Sequence, residues 1–266
     1  MDKSHYEPKI DYSVKSPHYS KRTSKIDTVV IHYISAINIL PNDPYHIPTI
    51  LDLLTKPIPT GGKEVKVSAH YLISRGNDPI YNLVDEKYAA WHAGRSKMPK
   101  TGRNVRGSVN DFSIGIELVG GKWEEFDMFQ YTSLAKLVSS IVDKYGDGKI
   151  ENINIVGHSD IAPGRKFDPG PRFDWDEFRF ELNYIHNKKR EFVSNITDGM
   201  EPDSDNDKIS LVWTTPQTSG CPISSISDRP ISSSSNCETK INKTKTININ
   251  ALYSFIKNLI YTIIGK

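Results

Sequence analysis

The sequence predicts an α/β fold in which a mixed central β-sheet is flanked by helices. Strand and helix signals alternate over about 26–190, and this order is typical of such folds. The β-branched run at 27–34 predicts a buried strand, and an apolar stripe at 127–145 predicts a helix that packs on the sheet. With 266 residues, the chain is long enough for one substantial core and a small appendage.

The first half of the chain adds a helix and three short strands to this pattern. Apolar residues recur at helical spacing over 45–56, with Pro48 in the first turn, where proline is tolerated. Strands at 68–74 and 80–84 are separated by turn-forming residues, so we expect a hairpin. A further strand is expected at 112–119.

The helix at 127–145 carries signals for both of its ends. Asp127 and Gln130 have the spacing of a capping box, and Gly146 suits the C-terminal end. The β-branched and apolar residues that follow predict a strand at 152–156.

An irregular loop is expected at 158–173, because this segment contains three prolines and two glycines. Asp174 and Glu177 mark the start of the last helix of the domain. We expect Trp175 and Phe178 on the inward face of that helix.

From about residue 194 the sequence becomes polar, with an acidic patch at 201–207 and a serine-rich stretch beyond it. Such a composition buries too little apolar surface to offset the entropy of ordering. Near the C-terminus apolar residues again recur at helical spacing, and we expect this helix to dock on its own domain or on a second copy, with a membrane surface as the alternative. We therefore predict an N-terminal extension at 1–24, a main domain at 25–190, a flexible polar linker at 191–246 and an amphipathic helix at 247–266.

Charge and hydropathy exclude several classes of protein. The formal net charge is +2, with acidic and basic residues spread along the chain, so no nucleic-acid partner is expected. No stretch reaches the roughly 18 apolar residues of a membrane span, and the N-terminus lacks the apolar run of a secretory signal. Cys221 and Cys237 lack the spacing of a metal-binding pair.

Three residues in widely separated motifs could bind a metal. His32 lies within VVIHY, His158 ends NINIVGH, and Asp168 follows ten residues later. Two imidazoles and a carboxylate are a usual ligand set of catalytic zinc, because they leave a fourth position for water. A single histidine in a strand is more often a core residue, so spacing alone leaves both interpretations open.

Five segments of this chain resemble the type-2 N-acetylmuramoyl-L-alanine amidases and occur in that family's order. They are VVIHY (29–33), SAHYLI (68–73), YAAWHAG (88–94), NDFSIGIELVG (110–120) and GHSDIAPGRKFDPGP (157–171). The family includes AmpD-like and AmiD-like enzymes, phage lysozyme-type amidases and peptidoglycan recognition proteins. The resemblance covers about 25–180 and implies the fold of that family. The chain departs from it at 38–66 and beyond about residue 190, which leaves substrate size and location open.

The resemblance implies a role for each polar position in these motifs. His32, His158 and Asp168 become the ligands of a Zn²⁺ cofactor. Glu117 becomes the acid/base residue, and Lys166 the cation that stabilises negative charge during amide hydrolysis. From the residues alone, a structural salt bridge or an exposed edge position is favoured for Glu117, and a solvated loop position is favoured for Lys166.

The alternation of side chains along the predicted strand at 112–119 indicates on which face Glu117 lies. One face carries the apolar side chains of Phe112, Ile114, Ile116 and Leu118. Glu117 lies on the other face, and a carboxylate there needs a charged or hydrogen-bonding partner.

Further residues are candidates for contacts with the substrate. Trp91 and His92 lie in a segment that the family places beside the substrate, and core packing is an equal alternative for Trp91. Asn110 and Arg165 could contact the stem peptide, with an exposed, neutral role as the alternative. His70 is expected to be structural and to orient a ligand.

The function that the resemblance implies is zinc-dependent hydrolysis of the amide between N-acetylmuramic acid and L-alanine. The substrate would be peptidoglycan or a muropeptide, including the 1,6-anhydro form. A non-catalytic peptidoglycan-binding module is the alternative, and a zinc hydrolase of another amide is a weaker one. We expect a bacterial protein, with the cytoplasm favoured over the periplasm or envelope.

Overall fold

The computed structural model describes residues 6–76, 79–99 and 105–198 and two short strands further along the chain. The chain divides into two compact units, and the first contains the described residues up to 196. Its strands are β1 (Ile10–Asp11), β2 (Tyr19–Lys21), β3 (Thr28–Ile34), β4 (Ile58–Thr60), β5 (Lys63–Val65), β6 (Tyr71–Ile73), β7 (Ile80–Asn82), β8 (Tyr88–Ala90), β9 (Lys97–Pro99), β10 (Val105–Gly107), β11 (Ser113–Val119) and β12 (Asn154–Gly157). Its helices are α1 (Ile47–Thr55), α2 (Met128–Tyr145), α3 (His158–Ile161) and α4 (Trp175–Asp198).

A six-stranded mixed sheet forms the centre of the first unit, as the sequence predicts. The strand order is β1-β7-β6-β11-β3-β12, with β6 and β7 antiparallel and all other neighbouring pairs parallel. In the register between β11 and β3, Glu117 lies opposite His32. Because directly opposed residues of neighbouring strands share one face of a sheet, both side chains project to the same side.

The long helix α2 matches its prediction closely. The Asp127 carboxylate accepts from the backbone N–H of Gln130, and the Gln130 side chain accepts from the backbone N–H of Asp127, which completes the capping box. The N–H of Gly146 bonds Val142 at the other end. The predicted hairpin is also confirmed, with Tyr71 opposite Asn82 across β6 and β7. Helix α1 begins with a proline in its first turn, as expected.

The main core lies between the sheet and helices α2 and α4. Ile114, Ile116 and Leu118 of β11 pack there with apolar residues of both helices. Phe112 was predicted on the same face but packs in a separate cluster with Val30. The reason is that Phe112 follows the 3-10 turn Val109–Asp111 and precedes β11, so strand alternation starts one residue later.

The N-terminal extension predicted at 1–24 is built into the first unit. Strand β1 pairs with β7 at the edge of the central sheet. Arg22 donates hydrogen bonds to the carbonyls of Glu86, Tyr88, Asn110 and Ser113. This guanidinium therefore joins the N-terminal segment to two others, 86–88 and 110–113.

Helix α4 begins where the sequence places it. The Asp174 carboxylate accepts from the N–H groups of Asp176 and Glu177. In a complete capping box, the Glu177 side chain would accept from the N–H of Asp174. Here this N–H donates to the Tyr131 hydroxyl instead, at 2.7 Å. The helix continues to Asp198, past the predicted domain end at residue 190.

The second unit contains the antiparallel pair β13 (Lys208–Ser210) and β14 (Thr246–Asn248). Most of the predicted linker at 191–246 and of the helix at 247–266 lies outside the described residues, and so does the docking predicted for that helix. No helix in the described ranges combines the length and apolar character that a membrane crossing requires.

Glu86 links strands and helices through a largely buried carboxylate. It accepts from the hydroxyls of Tyr71 and Tyr145, both at 2.8 Å, and from the ammonium of Lys144. Burial alone raises the pKa of Glu86, but Lys144 and the two hydroxyls outweigh it and hold the pKa below its ordinary value. The ionised carboxylate therefore stabilises the fold.

We expect Glu86→Gln to lower the free energy of unfolding at pH 7 by about 1.5–3 kcal/mol, the usual contribution of hydrogen bonds to a charged group. A carboxylate with a lowered folded-state pKa stabilises the protein fully above its unfolded-state pKa of about 4.3, and the effect is lost as pH falls through the folded-state pKa. Urea unfolding should show the difference shrinking below about pH 4. The exposed Glu64→Gln is the control, and a pH-independent difference would contradict the assignment.

Candidate metal centre and its cavity

His32, His158 and Asp168 converge on one point in the first unit. The Nδ1 atoms of His32 and His158 lie 2.8 and 2.9 Å from the same oxygen, Oδ2 of Asp168. All three side chains are buried, and their candidate ligand atoms lie within 4.8 Å of one another. A single ion could therefore contact all three.

The parallel pairing of β3 with β12 brings the two histidines together. Gly157 lies opposite Ile31 in the register, so His158 starts α3 beside His32. The loop predicted at 158–173 opens with this helical turn and then returns, and the carbonyl of Asp168 accepts from the N–H of Ser159 at 2.9 Å. Strand β3 thus supplies His32, the helical turn that follows β12 supplies His158, and the returning loop supplies Asp168.

Gly157 allows the returning loop to approach closely. A Cβ atom at this position would lie 2.7 Å from Cδ of Pro169, closer than real Cβ contacts allow. The glycine is therefore needed for Asp168 to reach the two imidazoles.

A cavity of about 290 Å³ opens over this group. Its polar lining comprises His32, Tyr33, Ser68, His92, Glu117, His158, Arg165, Lys166 and Asp168. Leu54 of α1 and Val67 form part of an apolar wall. Leu54 belongs to the connection at 38–66 where the sequence departs from the family pattern, so that connection shapes one side of the cavity.

Glu117 projects into the cavity from β11, on the side of the sheet that carries His32. Its Oε2 atom is buried and has no hydrogen-bond partner within the described ranges. Burial and the nearby Asp168 carboxylate raise the pKa of Glu117 well above its usual range, and Lys166 opposes the shift. A buried carboxyl oxygen without a partner is costly for stability, which indicates a chemical task.

Lys166 and Arg165 line the same cavity from the loop between α3 and Asp168. Lys166 is exposed, and its Nζ has no ion-pair partner in the part of the chain that the structure describes. Its ammonium can therefore turn toward a bound molecule. Arg165 Nη2 donates to the carbonyls of Ala93 and Arg95 at 2.9 and 2.8 Å, which holds the guanidinium at the rim.

Trp91 and Asn110 do not line this cavity. Trp91 Nε1 donates to Ser20 at 2.7 Å, and its ring stacks with His18. The Asn110 side-chain oxygen accepts from the N–H groups of His92 and Ala93 and fixes the course of that loop. Their predicted substrate contacts stay predictions.

His70 is a buried structural residue, as expected, but within the described residues neither of its ring nitrogens bonds a candidate metal ligand. Its Nδ1 accepts from the N–H of Gly115 at 2.9 Å, and its Nε2 lies 3.0 Å from the carbonyl of Tyr88. Burial lowers the pKa of His70 to about 4, so the ring is neutral. Through these bonds it connects β11 to β8.

His92 lies beside the candidate ligand His32, a contact that the sequence does not predict. It lines the cavity, but its Nδ1 also lies 3.0 Å from Nε2 of the candidate ligand His32. The two positions are 60 residues apart in the chain. The available sequence signal is Gly115, the only residue type that leaves space for the His92 ring above β11, since a Cβ there would lie 2.3 Å from the ring.

The fold and this centre define a candidate metal-dependent hydrolase. Strands β3 and β11, helix α3 and the loop after it present two imidazoles, a carboxylate and a glutamate to one cavity, and the glutamate Oε2 has no partner among the described residues. A sequence model of the family described as N-acetylmuramoyl-L-alanine amidase matches residues 22–171. The protein belongs to this family, which confirms the resemblance predicted from the motifs.

Individual relatives agree with this assignment. The 1,6-anhydro-N-acetylmuramyl-L-alanine amidase AmpD of Haemophilus influenzae is 39% identical over 174 residues, which cover 62% of this chain and 88% of that protein. The N-acetylmuramoyl-L-alanine amidase AmiD of Escherichia coli is 38% identical over 127 residues, 42% of this chain and 43% of that protein. A crystal structure of AmpD superimposes with a TM-score of 0.54 at 36% identity, covering 66% of this chain and 94% of AmpD. The predicted α/β fold is thereby confirmed.

Proposed function

We propose that this protein hydrolyses the amide between N-acetylmuramic acid and L-alanine in soluble 1,6-anhydro-muropeptides, with a zinc ion held by His32, His158 and Asp168. The similarity to AmpD extends over nearly the whole length of that enzyme. This favours a small soluble substrate over intact peptidoglycan, and it accords with the cytoplasmic location expected from the sequence.

The observation that carries the metal proposal is the direction of the hydrogen bonds around His158. Its Nε2 lies 3.1 Å from the carbonyl of Ala93, which can only accept, so Nε2 carries the proton. The nearby Arg165 Nη2 uses its two hydrogens on the carbonyls of Ala93 and Arg95. In neutral His158 the Nδ1 lone pair therefore points at the Asp168 carboxylate.

This contact requires a cation between the two atoms, which is either a proton on Nδ1 or a metal ion. A lone pair and a carboxylate oxygen repel one another at 2.9 Å, whereas both are attracted to a metal ion. Two neutral imidazoles and one carboxylate are suitable for Zn²⁺, while Mg²⁺ and Ca²⁺ prefer oxygen ligands. When bound, zinc supplies a Lewis acid that lowers the pKa of a water molecule and polarises an amide carbonyl.

Glu117 and Lys166 would perform the remaining steps. Glu117 accepts a proton from the attacking water and returns it to the departing nitrogen of L-alanine, so one carboxyl group acts first as base and then as acid. The Lys166 ammonium stabilises the negative charge that develops on the carbonyl oxygen. A zinc ion at the three ligands would offset the Asp168 charge that raises the pKa of Glu117, so that the carboxylate could act as the base.

The alternative function is a peptidoglycan-binding module without activity. A binding module requires neither a complete ligand set nor a buried glutamate oxygen that lacks a partner. Both features are present here, and both favour hydrolysis.

A cleavage assay tests the proposed substrate. We expect the zinc-loaded protein to release free stem peptide from 1,6-anhydro-muropeptide, detected by mass spectrometry, at a rate at least about 10-fold above its release from intact sacculi, a factor that corresponds to about 1.4 kcal/mol of selectivity. Heat-denatured protein is the control. Binding of muropeptide without release would support the binding module, and faster cleavage of sacculi would contradict the soluble substrate.

A further inference from the structure

A buried chain of hydrogen bonds runs from the metal centre into the strand layer. Nε2 of His32 lies 3.0 Å from Nδ1 of His92, and Nε2 of His92 lies 3.1 Å from Oγ of Ser113. Oγ of Ser113 donates to the carbonyl of Val109 at 2.6 Å. All three side chains are buried, so water does not compete for these bonds.

The last hydrogen bond of this series, from Ser113 to the Val109 carbonyl, determines the direction of the others. The Val109 carbonyl can only accept, so it receives the single hydroxyl proton of Ser113. Oγ of Ser113 must then accept from Nε2–H of His92. Neutral His92 is left with a lone pair on Nδ1, which accepts from Nε2–H of His32.

This direction leaves the Nδ1 lone pair of His32 pointing at the metal centre. Nδ1 is the atom that faces Asp168, at 2.8 Å. His158 reaches the same protonation pattern through the carbonyl of Ala93. Both imidazoles therefore carry their proton on Nε2. The acceptor for His32 is the His92 side chain, and the acceptor for His158 is the main-chain carbonyl of Ala93.

A glycine in β11 leaves the space that the series of hydrogen bonds needs. Along the outward face of β11, Gly115 lies between Ser113 and Glu117. The His92 ring packs directly on Gly115, where a Cβ would lie 2.3 Å from its Cγ. The N–H groups of His92 and Ala93 are held by the Asn110 side chain, which fixes the ring from its backbone side.

We propose that His92 is a positioning residue that holds His32 in the Nε2–H tautomer, with Ser113 as the fixed end of the chain. The proposal rests on the metal site described under Proposed function. Outer hydrogen bonds of this kind orient a ligand imidazole and increase its basicity, and their loss typically weakens metal binding about 10–100-fold. His92 would therefore raise zinc affinity without contacting zinc.

Three variants separate positioning from simple packing. His92→Leu removes the acceptor for His32, whereas His92→Asn keeps an oxygen acceptor close to the position of Nδ1. His186→Leu is the matched control, because His186 is also buried and bonds a serine hydroxyl and a carbonyl, those of Ser139 and Gly148. Ser113→Ala tests the far end of the chain.

Zinc affinity is measured by competition with a chromophoric chelator. We expect His92→Leu to weaken binding about 10–100-fold, His92→Asn to restore most of it, and Ser113→Ala to give a smaller loss. His186→Leu should lower stability and leave zinc affinity unchanged. Unchanged affinity in His92→Leu would overturn the proposal.

A second readout uses the metal-free protein and is therefore independent of the proposed catalytic function. Nitrogen-15 NMR of histidine-labelled wild-type protein should show a proton held on Nε2 of His32 by the hydrogen bond to His92, and His92→Leu should lose this fixed protonation of Nε2. A single unchanged tautomer in both proteins would contradict the role of His92. If wild-type protein binds no zinc, the proposed function fails, and the NMR result still decides whether His92 sets the tautomer.

Discussion

Glu117→Gln is expected to lower kcat by about 10²–10⁴-fold, the usual range for a general acid–base group, while the zinc content stays at the wild-type level. Glutamine has nearly the same shape but cannot take up or deliver a proton. Glu117 projects from β11 toward the cavity, and its Oε2 has no partner within the described ranges. The loss should therefore affect the chemical step rather than assembly of the site.

Steady-state kinetics with anhydro-muropeptide and metal analysis of the same samples measure this effect. Glu125→Gln is the matched control, because Glu125 is a strongly exposed glutamate. A Glu117→Gln protein with full activity would exclude Glu117 as the base. A variant that lost its zinc would show that Glu117 helps to hold the metal.

The same substitution should not destabilise the protein. Burial and the Asp168 carboxylate make ionisation of Glu117 unfavourable, which is why its pKa is raised. A neutral amide avoids that cost, so the free energy of unfolding of Glu117→Gln should equal or exceed that of the wild type. Such a result would indicate that the sequence retains this carboxyl group for function.

Asp168→Asn is expected to abolish both zinc retention and turnover, with activity reduced by about 10³-fold or more if several kcal/mol of transition-state stabilisation depends on the metal. Asp168 supplies the only carboxylate of the three-residue group, and its Oδ2 faces both imidazoles. An amide has no net charge to offset that of the ion. Asp176→Asn, at a nearly fully exposed position, is the control.

Stability measurements provide an independent test of the same substitution. A ligand that binds only the folded state stabilises it, so zinc should raise the Tm of the wild type but not that of Asp168→Asn. Equal stabilisation of both proteins by zinc would place the metal elsewhere.

Elements with strong local signals could be predicted from the sequence. The capping box at Asp127, the apolar stripe of α2 and the proline in the first turn of α1 are all determined by residues close together in the chain. The convergence of His32 and His158 was expected from the family resemblance alone, because no local pattern in the sequence indicates that β3 and β12 pair side by side.

Features that depend on distant contacts could not be predicted in this way. The direction in which His92 points depends on how the loop after β8 is held by Asn110, and that contact joins residues 17 and 18 positions apart. The cavity wall formed by Leu54 depends on how α1 packs against the sheet. Phe112 left the predicted face because a short 3-10 turn shifts the start of β11, and such turns lack a strong sequence signal.

Metal analysis of purified, extensively dialysed protein tests the central claim most directly. We expect one zinc ion per chain, which a strong chelator removes together with the amidase activity and which added Zn²⁺ restores together with it. Replacing His32, His158 and Asp168 at once should reduce the zinc content to background. Full activity in zinc-free protein, or an unchanged zinc content in the triple variant, would contradict the proposed centre.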